Sequence, residues 1–219
     1  MRPRHGRLIT VEGVTGVGKS TLFRRLRSTS RATRDLIFAG GYFGQQPSTS
    51  AFHGDLLSSI RRQLRRDEFL RLDWRVECLV LQAELLLADG FLVRPALESG
   101  KTILYEHHQH SILVYQAARL VESGVYKSVA RGLKSIISAT APFARAATPD
   151  VTVFLDFDSA DAAVRAARRD KRRVTKRARI FNELVAAGYH DLYRRYGPAS
   201  LVRVSTFADA LACMRRLTA

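Results

Sequence analysis

Cysteine is nearly missing from this chain: Cys78 and Cys213 are the only two in 219 residues, far apart and outside any CxxC pair. Their scarcity excludes a disulfide framework and a thiolate zinc site, and it fits a reducing, cytoplasmic setting. Long apolar runs are missing too. Cys78 to Val93 comes nearest to the roughly 18 residues of a membrane span, and Gln82, Glu84 and Asp89 interrupt it. The basic opening, Met1 to Arg7, is followed only by Leu8 to Val11 before Glu12, too little for the apolar core of a signal peptide. With six prolines, no internal repeat and no low-complexity stretch, nothing marks a linker. Residues 1–219 therefore read as one domain with no membrane partner. Acid is the last shortage: 20 Asp and Glu stand against 36 Lys and Arg, a formal net charge of +16.

What is present is a chain 46% hydrophobic, enough for a packed core at this length. Short β-branched runs alternate with longer helical patterns, which predicts an α/β fold with a five-stranded parallel sheet and helices around it. The strands are expected at Arg7–Glu12, Arg34–Ala39, Lys101–Glu106, Asp150–Asp156 and Ser200–Ser205. Helices are expected at Ser20–Arg27, Gly54–Arg66, Trp74–Glu98, Ser111–Glu122, Val125–Ala139, Ser159–Arg169, Arg177–Arg195 and Phe207–Leu217. Half of the net charge is concentrated between Arg165 and Arg179, where nine Lys or Arg residues meet the single Asp170. Such a stretch is either a phosphate clamp or a solvated basic face.

Chemistry enters at Gly13-Val14-Thr15-Gly16-Val17-Gly18-Lys19-Ser20, which fits GxxxxGK[ST] and stands between a predicted strand and a predicted helix. In such a P-loop, backbone N–H groups of Gly13, Thr15, Gly16, Val17 and Gly18 curl around phosphates, and the helix N-terminus, reaching Thr21, adds partial positive charge. Lys19 reaches the β- and γ-phosphates, and Ser20 is placed to bind Mg²⁺. The reading implies ATP as donor. In open α/β sheets ligands sit at the carboxyl ends of strands, which brings Glu106 and Asp156 forward. Glu106 is the candidate for magnesium or for the acceptor proton, whereas Asp156 reads as structural. His107, His108 and His110 follow Glu106 without ligand spacing for a metal, and are either donors in a phosphate pocket or exposed loop histidines.

These residues resemble the thymidylate kinases, P-loop enzymes that phosphorylate dTMP. Val11-Glu12-Gly13 through Thr21 is similar to the family's opening, and Arg94-Pro95-Ala96-Leu97 through Lys101 to its approach to the third strand. Glu106 through Gln116 has the spacing of the family's DR[YH]xxSxxAYQ, with His108, Ser111, Tyr115 and Gln116 retained. Pro149 through Asp156 resembles the fourth strand, and Phe181, Val185, Gly188, Tyr189 and Leu192 the helix after a mobile lid. The resemblance implies a doubly wound P-loop fold, ATP with Mg²⁺ held by Ser20 and Glu106, and a basic lid at about 168–178. It also implies an arginine from the lid, because Val14, Thr15 and Val17 carry no charge; Arg168, Arg169, Arg172, Arg173 and Arg177 are the candidates. The acceptor set implied is Gln46, His107, His108, Ser111, Tyr115 and Gln116.

The departures from the family gather on the acceptor side. Gln45-Gln46-Pro47 stands where the family has Arg-Glu-Pro, His107 where it has the arginine of DR, and Leu85 where an ungapped alignment puts a substrate-binding arginine. Each lost charge-assisted contact is worth roughly 1.5 to 3 kcal/mol, so dTMP is expected to bind poorly unless other groups substitute. A nucleoside kinase is one rival, though Gln46 replaces the glutamate that such an enzyme would use as base. A nucleic-acid-binding NTPase is the other, resting on Lys171 to Arg177; without interleaved aromatics this stretch offers phosphate affinity only, and the sequence disfavours a nucleic-acid partner. The apolar face from Leu79 to Leu87 permits a homodimer and equally fits core packing.

Overall fold

The computed structural model describes residues 6–29, 35–39, 73–141, 146–171, 173–198 and 200–218. Five strands, β1 (Arg7–Glu12), β2 (Leu36–Ala39), β3 (Thr102–Glu106), β4 (Val151–Leu155) and β5 (Leu201–Val204), form one parallel sheet in the order β2-β3-β1-β4-β5. β4 is buried at every position and β1 from Leu8 onward, which is why they read as continuous apolar runs rather than alternating ones. Their two buried hydroxyls satisfy each other, Thr10 Oγ1 donating to Thr152 Oγ1 at 3.1 Å.

The helices are α1 (Lys19–Thr29), α2 (Trp74–Ala88), α3 (Arg94–Glu98), α4 (Gln109–Glu122), α5 (Val129–Thr140), α6 (Ser159–Arg169), α7 (Lys176–Tyr196) and α8 (Phe207–Thr218). The chain moves one way across the sheet from β1 to β2 and the other way in every later crossover. Right-handed crossovers therefore put α1 on one face and α2 to α7 on the other. α8 returns to pack on α1. The direction reverses beside β1 and β3, so the crevice for a ligand opens at their carboxyl ends.

Two helices differ from the sequence expectation. Trp74–Glu98 is not one helix: it passes through a π-helical turn, Asp89–Val93, before α3. Pro95 has no N–H to give there, and the buried Asp89 carboxylate fixes the turn by accepting from Arg94 Nε at 2.6 Å and the Ala147 N–H at 2.8 Å. α5 begins at Val129 rather than Val125, because Gly124 at φ +77° and extended Ser128 hold the chain in a turn first. The helix expected at Gly54–Arg66 lies outside the described residues.

Candidate active site

The chain leaves β1 through a loop whose glycines take backbone angles closed to other residues, Gly13 at φ +145° and Gly16 at +84°. Gly16 also has no room for a side chain, since a Cβ would lie 2.1 Å from the Ala162 carbonyl oxygen of α6. The loop is thus pressed onto α6, where Arg165 Nε donates to Gly16 O at 3.0 Å, and onto α7, where Asn182 Nδ2 donates to Thr15 O at 3.1 Å. Lys19 curls under it and donates to Gly13 O at 2.8 Å and Val14 O at 2.9 Å. Its burial lowers the ammonium pKa from 10.5 to about 8, against the pull of Glu106 and Glu12.

Across the crevice, the parallel register sets Glu106 beside Val11, and Ser20 Oγ donates to Glu106 Oε1 at 2.9 Å. His107 then turns the chain at φ +60°. Its Nδ1 lies 2.9 Å from Ser111 Oγ, and its Nε2 lies 3.9 Å from Glu106 Oε1. Tyr115 closes this side, its hydroxyl 2.9 Å from Thr15 Oγ1 and its ring tilted against Phe181. Beneath them Glu12 is wholly buried, accepting from His108 N at 3.0 Å, Ser111 Oγ at 2.5 Å and Tyr189 OH at 3.1 Å. Burial pushes the Glu12 carboxyl above its usual range, and these hydrogen bonds together with Lys19 oppose the push.

The basic stretch is the end of α6, a turn and the start of α7. Arg169 grips Asp170 through two hydrogen bonds, of 2.8 and 3.2 Å. Its charge is felt at Lys19, and Glu106 in turn favours its charge. Arg177 is turned away, donating to Glu122 Oε1 of α4 at 2.7 Å. Thr175 caps α7 by accepting from Ala178 N at 3.1 Å.

A thymidylate kinase family model matches residues 11–206, from the end of β1 to the residue before α8. The chain belongs to the thymidylate kinase family. It is 31% identical to the thymidylate kinase of Rhizorhabdus wittichii over 205 residues, covering 92% of this chain and 88% of that one. It is 30% identical to that of Deinococcus radiodurans over 190 residues, covering 85% and 82%. The fold matches a thymidylate kinase structure from Ehrlichia chaffeensis with a TM-score of 0.64 at 17% identity, covering 97% of both chains. It matches one from Candida albicans, described as showing the origin of broad substrate specificity, with a TM-score of 0.65 at 18% identity, covering 97% and 91%. The protein is accordingly a P-loop kinase.

Within this thymidylate kinase fold, the loop residues Gly13 to Thr21, Glu106, His107 and Tyr115 come together around the crevice. Gln45, Gln46 and Arg172 lie outside the described residues. Three residues expected on the acceptor side point inward instead. Ser111 is bound to Glu12, and Gln116 is buried with its Nε2 donating to Glu77 Oε1 at 2.8 Å. His108 is buried against Tyr105, and burial reinforced by His110 lowers its pKa from 6.5 to about 3. Neither a phosphate-pocket donor nor an exposed loop histidine describes it, because the first turn of α4 folds its ring under the sheet end. His110 packs on Tyr193, and burial lowers its pKa to about 4. Asp156 has the structural place expected of it, 3.2 Å from His190 Nε2 and 3.5 Å from Arg203 Nε. Sequence reasoning gave no roles to Arg165, Asn182 and Glu12. Only Glu12 carried a signal, as an acid ending a strand buried on both faces.

Proposed function

We propose that this chain transfers the γ-phosphoryl group of ATP to a nucleoside monophosphate of the dTMP class. The observation that carries the reading is the convergence of Lys19, Ser20 and Glu106 on one crevice, with Ser20 Oγ and Glu106 Oε1 2.9 Å apart. The P-loop N–H groups bind the donor phosphates, and Lys19 exchanges the carbonyls of Gly13 and Val14 for phosphate oxygens. Ser20 and Glu106 would hold Mg²⁺. Two hard oxygens suit an ion that takes its other ligands from phosphate and water. Among the described residues no group of three His, Cys, Asp or Glu could hold a metal by itself. Bound there, Mg²⁺ would neutralise charge on the β- and γ-phosphate oxygens.

Arg169 is the lid arginine assigned here to the transferring group, because it ends α6, which docks on the P-loop through Ala162 and Arg165, and its charge is felt at Lys19. His107, Tyr115 and Thr15 border the acceptor, with Ser111 and His108 holding them from behind. The missing cations bear on dTMP itself. Leu85, the position set against the family's arginine by the ungapped comparison, is buried and carries no charge. Two chains associate through the outer face of α2 and the π-helical turn after it, where Val76, Leu79 and Phe91 are about half exposed. Among the described residues no helix is long and apolar enough to cross a membrane. Cys78 and Cys213 are free and buried, as a cytoplasmic chain would keep them.

A coupled ADP-release assay with ATP and Mg²⁺ across dTMP, other nucleoside monophosphates and nucleosides tests the reading. Turnover with a monophosphate is expected. Turnover with nucleosides alone, or ATP hydrolysis that requires a polynucleotide, would overturn it.

A further inference from the structure

Glu12 ends β1 at 0% exposure and spends both carboxyl oxygens on the protein. Oε1 accepts the His108 backbone N–H at 3.0 Å, while Oε2 accepts the hydroxyls of Ser111 at 2.5 Å and Tyr189 at 3.1 Å. A buried carboxyl is expensive to keep, so what it organises has to account for it. His108 and Ser111 bracket the first turn of α4. Between them and the crevice stands His107 at φ +60°, a backbone conformation that a non-glycine residue keeps only where its surroundings impose it. Two further bonds hold that residue: its N–H reaches Val11 O at 3.3 Å, and its Nδ1 lies 2.9 Å from the same Ser111 Oγ. Glu106 directly precedes this turn, and its aim at Ser20 depends on the turn staying put. Tyr189 adds α7 to the same carboxyl, and α7 is the helix that starts where the lid ends and also binds the Thr15 carbonyl through Asn182.

We propose that Glu12 is a positioning residue: its carboxyl fixes the turn that aims Glu106 at Ser20 and, through Tyr189, ties that turn to the helix following the lid. The inference rests on the proposed role of Glu106. Glu12 itself touches neither donor nor acceptor, and its hydrogen bonds act on the rate through the residues they hold. Donor binding belongs to the P-loop backbone and Lys19, so displacing the turn costs rate and spares ATP affinity.

The test is steady-state kinetics with ATP, Mg²⁺ and the best acceptor for Glu12→Ala, Glu12→Gln, Glu106→Gln and the Glu12→Ala/Glu106→Gln pair, with melting curves for each. Glu12→Ala should lower kcat roughly 100-fold, the scale of an ångström-sized misplacement, while KM for ATP stays near the wild-type value. Glu12→Gln keeps a side-chain oxygen for the His108 N–H and should recover most of the rate. In the Glu106→Gln background, Glu12→Ala should cost less than about threefold more, because the residue it positions is already disabled. Losses that multiply in the pair, or a Glu12→Gln rate as low as that of Glu12→Ala, would overturn the proposal and leave Glu12 as core packing. If Glu12→Ala does not fold, Ser111→Ala and Tyr189→Phe carry the same comparison with Glu106→Gln. A wild-type rate for Glu106→Gln alone would remove the Glu106 reading, and the proposal with it.

Discussion

Lys19 is a cation buried beneath the loop that follows β1. Buried under the loop, its ammonium donates to the carbonyls of Gly13 and Val14, so the cation has partners in a place where an unpaired one would be costly. Phosphate oxygens are stronger acceptors than these carbonyls, which gives the side chain a reason to move. Lys19→Ala should therefore abolish turnover while circular dichroism stays that of the wild type; retention of more than about a tenth of the rate at saturating ATP would refute the role. His110 makes a different prediction, about stability. Its imidazole is kept neutral, with a pKa lowered to about 4 from 6.5, by burial against Tyr193. Between those values the unfolded chain binds a proton that the folded chain does not, so stability is full above pH 6.5 and declines as pH falls toward 4. Urea melts at steps from pH 7 to 4.5 should show His110→Gln losing about one proton's worth of that slope. An unchanged slope would mean that the ring is not held neutral.

Among the elements, α6 and α7 set where the described arginines of the basic stretch lie. α6 is anchored by its first half: Ala162 lies against Gly16, and Arg165 holds the Gly16 carbonyl, so its last residue, Arg169, is delivered near the phosphate crevice. α7 is anchored by Asn182 and Tyr189 and sends Arg177 outward to Glu122. Positive charge on the transferring group is worth roughly 10³-fold or more when it comes from an arginine finger. Arg169→Ala should lower kcat by about that factor, and Arg169→Lys should recover little of it, since the planar fork is lost. Arg177→Ala should leave kcat close to wild type. Reversed effects in the two variants would move the finger across the lid. Arg165, Arg169 and Arg177 thus each hold a partner within the chain while remaining exposed.

At the scale of the whole molecule, one side of the crevice carries the contiguous GxxxxGK[ST] motif, and the other departs from the pattern that the resemblance implies. His107 stands beside Glu106 where the family has an arginine, and α2 offers the buried Leu85. We expect kcat/KM for dTMP at least roughly 100-fold below that of the best acceptor in a nucleotide and nucleoside screen, and a rise with dTMP in His107→Arg. dTMP performing as well as any compound would show that other groups compensate. Association is the other molecular property. Val76 and Leu79 on α2 and Phe91 in the π-helical turn after it are exposed apolar side chains that a second copy can cover. Leu79→Asp should shift the mass measured by light scattering from dimer to monomer without lowering the melting temperature of the monomer. A wild-type chain that is monomeric at high micromolar concentration would refute the dimer.

The sequence alone determined what is local or periodic. The strands β1, β3 and β4 are apolar runs bounded by turns, the P-loop is a contiguous motif whose glycines are needed at fixed places, and α6 and α8 follow from their helical periodicity. The place of Glu106 at the carboxyl end of β3 was legible, and its hydrogen bond from Ser20 was not. What only the tertiary structure decided are contacts between distant segments. Leu85 and Gln116 carry side chains that could face a substrate or a neighbouring helix, and only the packing of α2 on α4 sends Gln116 to Glu77. His107, His108 and His110 are alike in sequence. Their environments diverge because one takes a left-handed turn at the crevice, one folds beneath Tyr105 and one meets Tyr193 from α7. Five arginines within ten residues are equivalent by spacing, and where each of the described ones lies depends on how Gly16 lets α6 dock and where α7 begins. Glu12 needs partners from residues 108, 111 and 189 to acquire a role, and no local pattern encodes a contact across 177 positions.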